Sequence, residues 1–124
     1  MLYLIVFLGA GIGGALRHGV NVGTTRLFGF GFPYGTFIVN VAGSFVMGLL
    51  AGFFVYRTGI PQHMRLFLTT GILGGYTTFS TFSLDAAVLY ERGDLGQAAL
   101  YVALSVALSI GGLFAGMAMV RAWA

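Results

Sequence analysis

Residues 36–56 run from Thr36 to Tyr56 without one charged side chain, and the stretches 3–28, 63–90 and 96–120 are nearly as apolar. An α-helix needs about 20 apolar residues to cross a hydrocarbon core of roughly 30 Å. Four such spans consume most of a 124-residue chain and leave only short links, with no room for an extramembrane domain. Charged residues make up 7% of the chain, against roughly 25% in an ordinary soluble domain. So few charges cannot cover the surface of a water-soluble globule of this size. The expected fold is an all-α membrane protein, one domain over residues 1–124 with four transmembrane helices.

Several function classes fall away on the same residues. Lysine is absent, which removes a P-loop lysine and with it ATP-driven pumping by this chain. The two histidines, His18 and His63, and the three acids, Asp85, Glu91 and Asp94, are scattered, a poor basis for hydrolytic or metal catalysis. No enzyme is expected. Without cysteine there are no disulfides and no thiolate metal sites. The net charge of +3 comes from dispersed arginines that flank spans, not from a basic cluster suited to nucleic acid.

The 21 glycines exceed what lipid-facing helices require, and Gly9/Gly13, Gly48/Gly52 and Gly112/Gly116 recur at a spacing of four. That spacing puts both glycines on one face and lets helix backbones approach closely. Four short helices enclose little protein interior, so an oligomer is expected. The arginines scarcely choose an orientation. Arg57, Arg65 and Arg121 fall on one side, Arg26 and Arg92 on the other, with Arg17 inside the first span. Such a balance suits a protein that inserts both ways up.

The most informative stretch runs from Gly71 to Ser83, where Gly74-Gly75 precedes Thr77-Thr78 and a run of hydroxyls. Glycines followed by β-branched residues make a poor helix centre. A break at membrane depth frees carbonyls that must be buried in protein or bind something. One solution is a kink satisfied by threonine hydroxyls, and another is a cation held by carbonyl oxygens. Phe79 and Phe82 share a helix face, as packing residues or as rings whose positive edges favour a small anion. Ser80, Thr81 and Ser83 interleave with them. Asn40, inside the second span with Ser44 one turn later, is either interhelical glue or a donor replacing part of an anion's hydration shell. Tyr101, Ser105 and Ser109 form a polar stripe on the fourth span. Arg17 either snorkels to an interface or marks the mouth of an anion path. Spans one, two and four hold no acid, although proton-coupled cation exporters need one.

With these residues in view, the whole chain resembles the Fluc/CrcB family of fluoride channels. Gly74 to Ser83, reading Gly-Gly-Tyr-Thr-Thr-Phe-Ser-Thr-Phe-Ser, is the most specific match. Gly35-Thr36-Phe37-Ile38-Val39-Asn40 with Gly43-Ser44-Phe45, and Gly13-Gly14-Ala15-Leu16-Arg17, resemble the second-helix and first-helix signatures. The resemblance implies an antiparallel, dual-topology homodimer in the inner or plasma membrane, with two pores lined by both chains and the third helix broken mid-membrane. It further implies passive fluoride efflux that lowers cytoplasmic fluoride and its toxicity. A structural sodium ion, required but not transported, would be bound by the backbone carbonyls of Gly74 and Thr77. The expected fluoride path comprises Asn40, Phe79, Phe82, Ser80, Thr81 and Ser109, with Arg17 at a vestibule. The expected partners are fluoride, a second copy of the chain and the lipid bilayer. His18, Tyr76 and Asp85 depart from the family pattern, which commonly has an aromatic, an aliphatic and a glutamate at those positions. A small multidrug-type exporter would need an acid in the first span, and a holin-like scaffold predicts no organised polar residues at membrane depth.

Overall fold

The computed structural model describes residues 1–29, 31–57 and 59–123. Phe30 and Thr58, in the first two expected links, and the C-terminal Ala124 lie outside the described residues. Every regular element among the described residues is helical. Helix α1 spans Leu2–Phe28, α2 Tyr34–Tyr56, α3 Gln62–Leu66, α4 Gly74–Tyr76, α5 Phe79–Glu91 and α6 Leu95–Trp123. Between α3 and α4, residues Phe67–Leu73 form a wider π-helical turn. Helices α1, α2 and α6 are each long and apolar enough to cross a membrane. The path from Gln62 to Glu91 is instead assembled from pieces.

Glycine decides how these helices meet. A Cβ on Gly13 would fall on the Ile72 carbonyl and 2.8 Å from the Tyr76 nitrogen, and one on Gly9 would lie 2.8 Å from the Phe67 carbonyl. Only a residue without a side chain lets the two backbones touch there. Both sets of contacts advance together along the sequence, so α1 runs parallel to the Gln62–Tyr76 path. By the same logic α2 runs parallel to α6. Gly48 packs on Leu113, Gly52 on Met117 and Val120, and Gly116 on the backbone of Phe45. The expected small-residue pairs thus lie at two seams.

The π-helical turn was not anticipated in the sequence, and it has a clear geometric effect. In an α-helix, residues four apart drift by about 40° around the axis, because 3.6 residues make one turn. The wider turn, which holds more than four residues, turns that drift the other way, and Phe67, Gly71 and Gly75 each bring backbone against α1. The Thr69 hydroxyl donates to the Arg65 carbonyl at 2.7 Å within this segment.

Within the Gly74–Thr78 stretch where a break was expected, the glycines and the threonines behave differently. Gly74 and Gly75 remain helical, with Gly75 pressed on the backbone of Ala10. Thr77 (φ −82°, ψ 159°) and Thr78 (φ −154°, ψ 126°) are extended, and α5 begins at Phe79. Helix α5 ends in a Schellman closure in which Gly93 adopts φ 84°, its N–H donating to the Tyr90 carbonyl and that of Asp94 to Leu89. The buried apolar core is small, comprising Val39, Leu73, Phe82, Leu89 and Tyr101. Large apolar side chains such as Phe7, Leu84, Val106, Ile110 and Phe114 face outward. That surface suits lipid or another protein chain, not water.

Candidate functional site

The interruption at Thr77-Thr78 opens onto a cleft of about 410 Å³ between α2, α5 and α6. Asn40 reaches it from α2 and spans the gap in the helix. Its Nδ2 donates to the Thr78 carbonyl at 2.9 Å, and its Oδ1 accepts from the Thr78 N–H at 2.8 Å. One amide side chain therefore satisfies both backbone groups of an extended residue, as a neighbouring strand would. The interhelical reading of Asn40 is realised in this contact, while its second N–H remains available to the cleft.

The aromatic pair comes together with ring centroids 5.6 Å apart and planes tilted by 47°. Phe82 is buried in the core at the cleft floor, while Phe79 is 77% exposed and projects from the chain. Ser109 lines the same cleft from α6. Ser80 does not line it; its Oγ lies 3.3 Å from the Thr78 Oγ1. Thr81 turns to a second cleft on the far side of Phe82, and Arg17 lines neither of the two. No charged side chain borders the first cleft.

Ser105, one of the three residues of the stripe seen in the sequence but not singled out as a site residue, is the surprise. It is 5% exposed, lines the cleft, and its hydroxyl has no hydrogen-bond partner. Helical hydroxyls usually bond back to the carbonyl four residues earlier. Thr69, Thr77 and Ser83 do so here, to Arg65, Leu73 and Phe79. Ser105 does not. A neutral cleft with an unpartnered buried hydroxyl, aromatic rings and a bridging amide is organised to receive a small polar species.

Comparison with known proteins decides the family. The model of the CrcB-like proteins, described as Camphor Resistance (CrcB), matches residues 4–117. The chain belongs to the CrcB family. Three relatives illustrate the similarity. The chain is 64% identical over 122 residues to a "Fluoride-specific ion channel FluC" of Rhodopseudomonas palustris (strain BisB5), covering 98% of each chain. It is 59% identical over 121 residues to "Fluoride-specific ion channel FluC 2" of Nitrobacter hamburgensis, again covering 98% of each. It is 54% identical over 121 residues to the FluC of Granulibacter bethesdensis, covering 98% of this chain and 95% of that one. These names describe channels, not enzymes, and with its three span-length helices the CrcB-family chain is a multi-pass membrane protein.

Among the carbonyls of this CrcB-family chain that lose their helical donors at the interruption are those of Gly74 and Thr77, whose would-be donors are taken by side chains. The amide that would close a bond to Gly74, Thr78 N–H, goes to Asn40 instead. The amide that would reach Thr77, Thr81 N–H, goes to the Thr78 Oγ1 at 3.3 Å, capping α5. Both diversions use side chains to strip neutral backbone oxygens of their partners. Among the described residues no group of three His, Asp or Glu side chains could hold a metal ion. A cation here would accordingly have neutral carbonyl ligands, which suit a hard monovalent ion better than a transition metal.

Proposed function

We propose that this chain forms a fluoride-selective channel. The observation that carries the reading is the uncharged cleft in which, among the described residues, the Ser105 hydroxyl is the only buried side-chain polar atom without a partner, taken with the printed names of its relatives. Fluoride is small and strongly hydrated, so a selective path must replace water with donors in a narrow space. The remaining Asn40 N–H, the Ser105 and Ser109 hydroxyls and the edges of Phe79 and Phe82 are such donors. No fixed cation borders them, so the ion is not held too tightly to leave. Ser80 and Thr81 extend the polar track, and Arg17 belongs to a vestibule. An inside-negative potential drives anion exit by about 2.3 kcal/mol per 100 mV, roughly fifty-fold, so passive efflux lowers cytoplasmic fluoride.

The functional unit in this reading is an antiparallel, dual-topology homodimer in the inner membrane, each chain contributing four spans over residues 1–124. The exposed Phe79 ring and the exposed Gly74 support it, since both flank the interruption yet lie on the chain's outer surface. A Cβ on Gly74 would meet nothing closer than 3.6 Å within the chain, so no packing inside one chain requires glycine there. A second chain at that surface does. The carbonyls of Gly74 and Thr77 from two chains then offer four oxygens to a structural sodium ion at the mid-membrane break. Sodium supplies charge compensation to carbonyls that are otherwise costly in a dry interior. It is not carried with fluoride.

Purified protein in liposomes tests the reading. Fluoride should leave the vesicles rapidly while chloride is retained. Equal fluxes of the two anions would refute selectivity, and no flux of either would refute the channel.

A further inference from the structure

A second cleft, of about 320 Å³, lies beyond Phe82, and Asn21 of α1 lines it. The two clefts are stacked end to end along the same helices. Asn40 borders the first and Thr36, one turn earlier on α2, borders the second. On α5, Phe82 belongs to the first and Thr81 and Asp85 to the second. The wall between them is aromatic. Tyr101, fully buried, has its ring centroid 5.2 Å from Phe82, and its hydroxyl donates to the Asp85 Oδ2 at 3.2 Å.

The charges around the second cleft do not favour an anion. Asp85 is a carboxylate on its wall. Arg92 at its rim donates to the Gly31 carbonyl at 2.9 Å and to Asp94 Oδ2 at 3.1 Å, so its charge is already engaged. An anion crossing here depends on neutral donors. Thr24 spends its hydroxyl proton on the Asn21 carbonyl at 3.2 Å. The Asn21 amide is half-buried on the cleft wall and has no side-chain hydrogen-bond partner among the described residues, so its donors are open to an occupant of the cleft. Its placement is also specific. Its Oδ1 packs against Gly35, where a Cβ would collide with it and lie 2.8 Å from the Thr24 Oγ1. The glycine seats the oxygen branch of the amide, and the nitrogen branch is left to the cleft.

We infer that Asn21 is a selectivity-determining donor at the second mouth of the anion path, giving fluoride its last protein N–H contacts as it passes Asp85. This deepens the fluoride-channel reading and rests on it. The role gives α1 a second contribution to the path beside Arg17. It also explains how a carboxylate is tolerated there. Asp85 speeds departure, and the neutral amide keeps the mouth occupied long enough for the next ion to follow.

The test compares wild-type protein with Asn21→Leu and Asn21→Ser in liposomes, reading fluoride flux against fluoride concentration, fluoride-over-chloride selectivity, and elution of the purified protein in detergent. Asn21→Leu, which removes the donor at similar volume, should cut fluoride flux about tenfold at unchanged elution and raise the half-saturating fluoride concentration. Asn21→Ser, a smaller donor, should recover at least half of the flux. Wild-type flux in Asn21→Leu would overturn the inference. Equal losses in both variants would also overturn it, because they would mark Asn21 as packing against Gly35. A wild-type protein that conducts no fluoride would instead overturn the channel reading itself.

Discussion

At the scale of single residues, the site trades stability for an open donor. Ser105 carries a buried hydroxyl that could return its proton to the preceding turn, as Ser83 does, and does not. An unsatisfied buried hydroxyl costs about 1–3 kcal/mol. Ser105→Ala should therefore raise the thermal stability of the purified protein while lowering fluoride flux severalfold. A variant both less stable and fully conducting would show that the hydroxyl serves packing. The polar stripe of Tyr101, Ser105 and Ser109 is visible at a spacing of four in the sequence. Which of its members lacks a partner is not, because that depends on where α2 and α5 place their own acceptors. Asn40 illustrates the same limit. Its amide was readable as glue or donor, and only the position of Thr78 reveals that it does the work of a missing strand.

At the scale of elements, the seam between α1 and the Gln62–Tyr76 path brings backbone against backbone. Gly13→Ala places a methyl group onto the Ile72 carbonyl. Overpacking of this kind typically costs about 1–3 kcal/mol, and rigid backbone on both sides leaves little room to relax. Gly11→Ala meets nothing within 4 Å and replaces a poor helix former by the best one. Thermal unfolding in detergent should show the first variant clearly destabilised and the second unchanged or slightly improved. Equal damage from both would place a second chain over the outer face of α1. Hydropathy makes α1, α2 and α6 legible in the sequence to within a few residues at most ends. The interrupted path is harder to read. Propensity argues for a break somewhere in Gly74–Thr78 but not for its exact place: Gly75 packs on the backbone of Ala10 and stays helical, and the gap falls at Thr77-Thr78. The π-helical turn is not legible in the sequence, because the close contact it makes, Gly71 against Gly9 of α1, is between residues far apart along the chain.

At the scale of the whole molecule, the proposed sodium site ties the channel's two halves through backbone oxygens. Replacing sodium with a larger organic cation on both sides of the vesicle membrane should abolish fluoride flux. Tracer sodium should not enter in step with fluoride, and full activity without sodium would remove the ion from the proposal. The piecewise build of the third path has a further consequence, for how the chain is made. Helices α1 and α2 are each long and apolar enough to cross a membrane. The segment Gln62–Glu91 carries an extended dipeptide, several hydroxyls and Asp85, so lipid alone is a poor solvent for it. What welcomes it is a groove already waiting in the bilayer, cut by Gly9 and Gly13 into the side of α1 and armed by Asn40 on α2 with the two hydrogen bonds the broken helix lacks. Order of synthesis thereby becomes part of the structure: the first hairpin acts as a built-in chaperone for the segment that follows it.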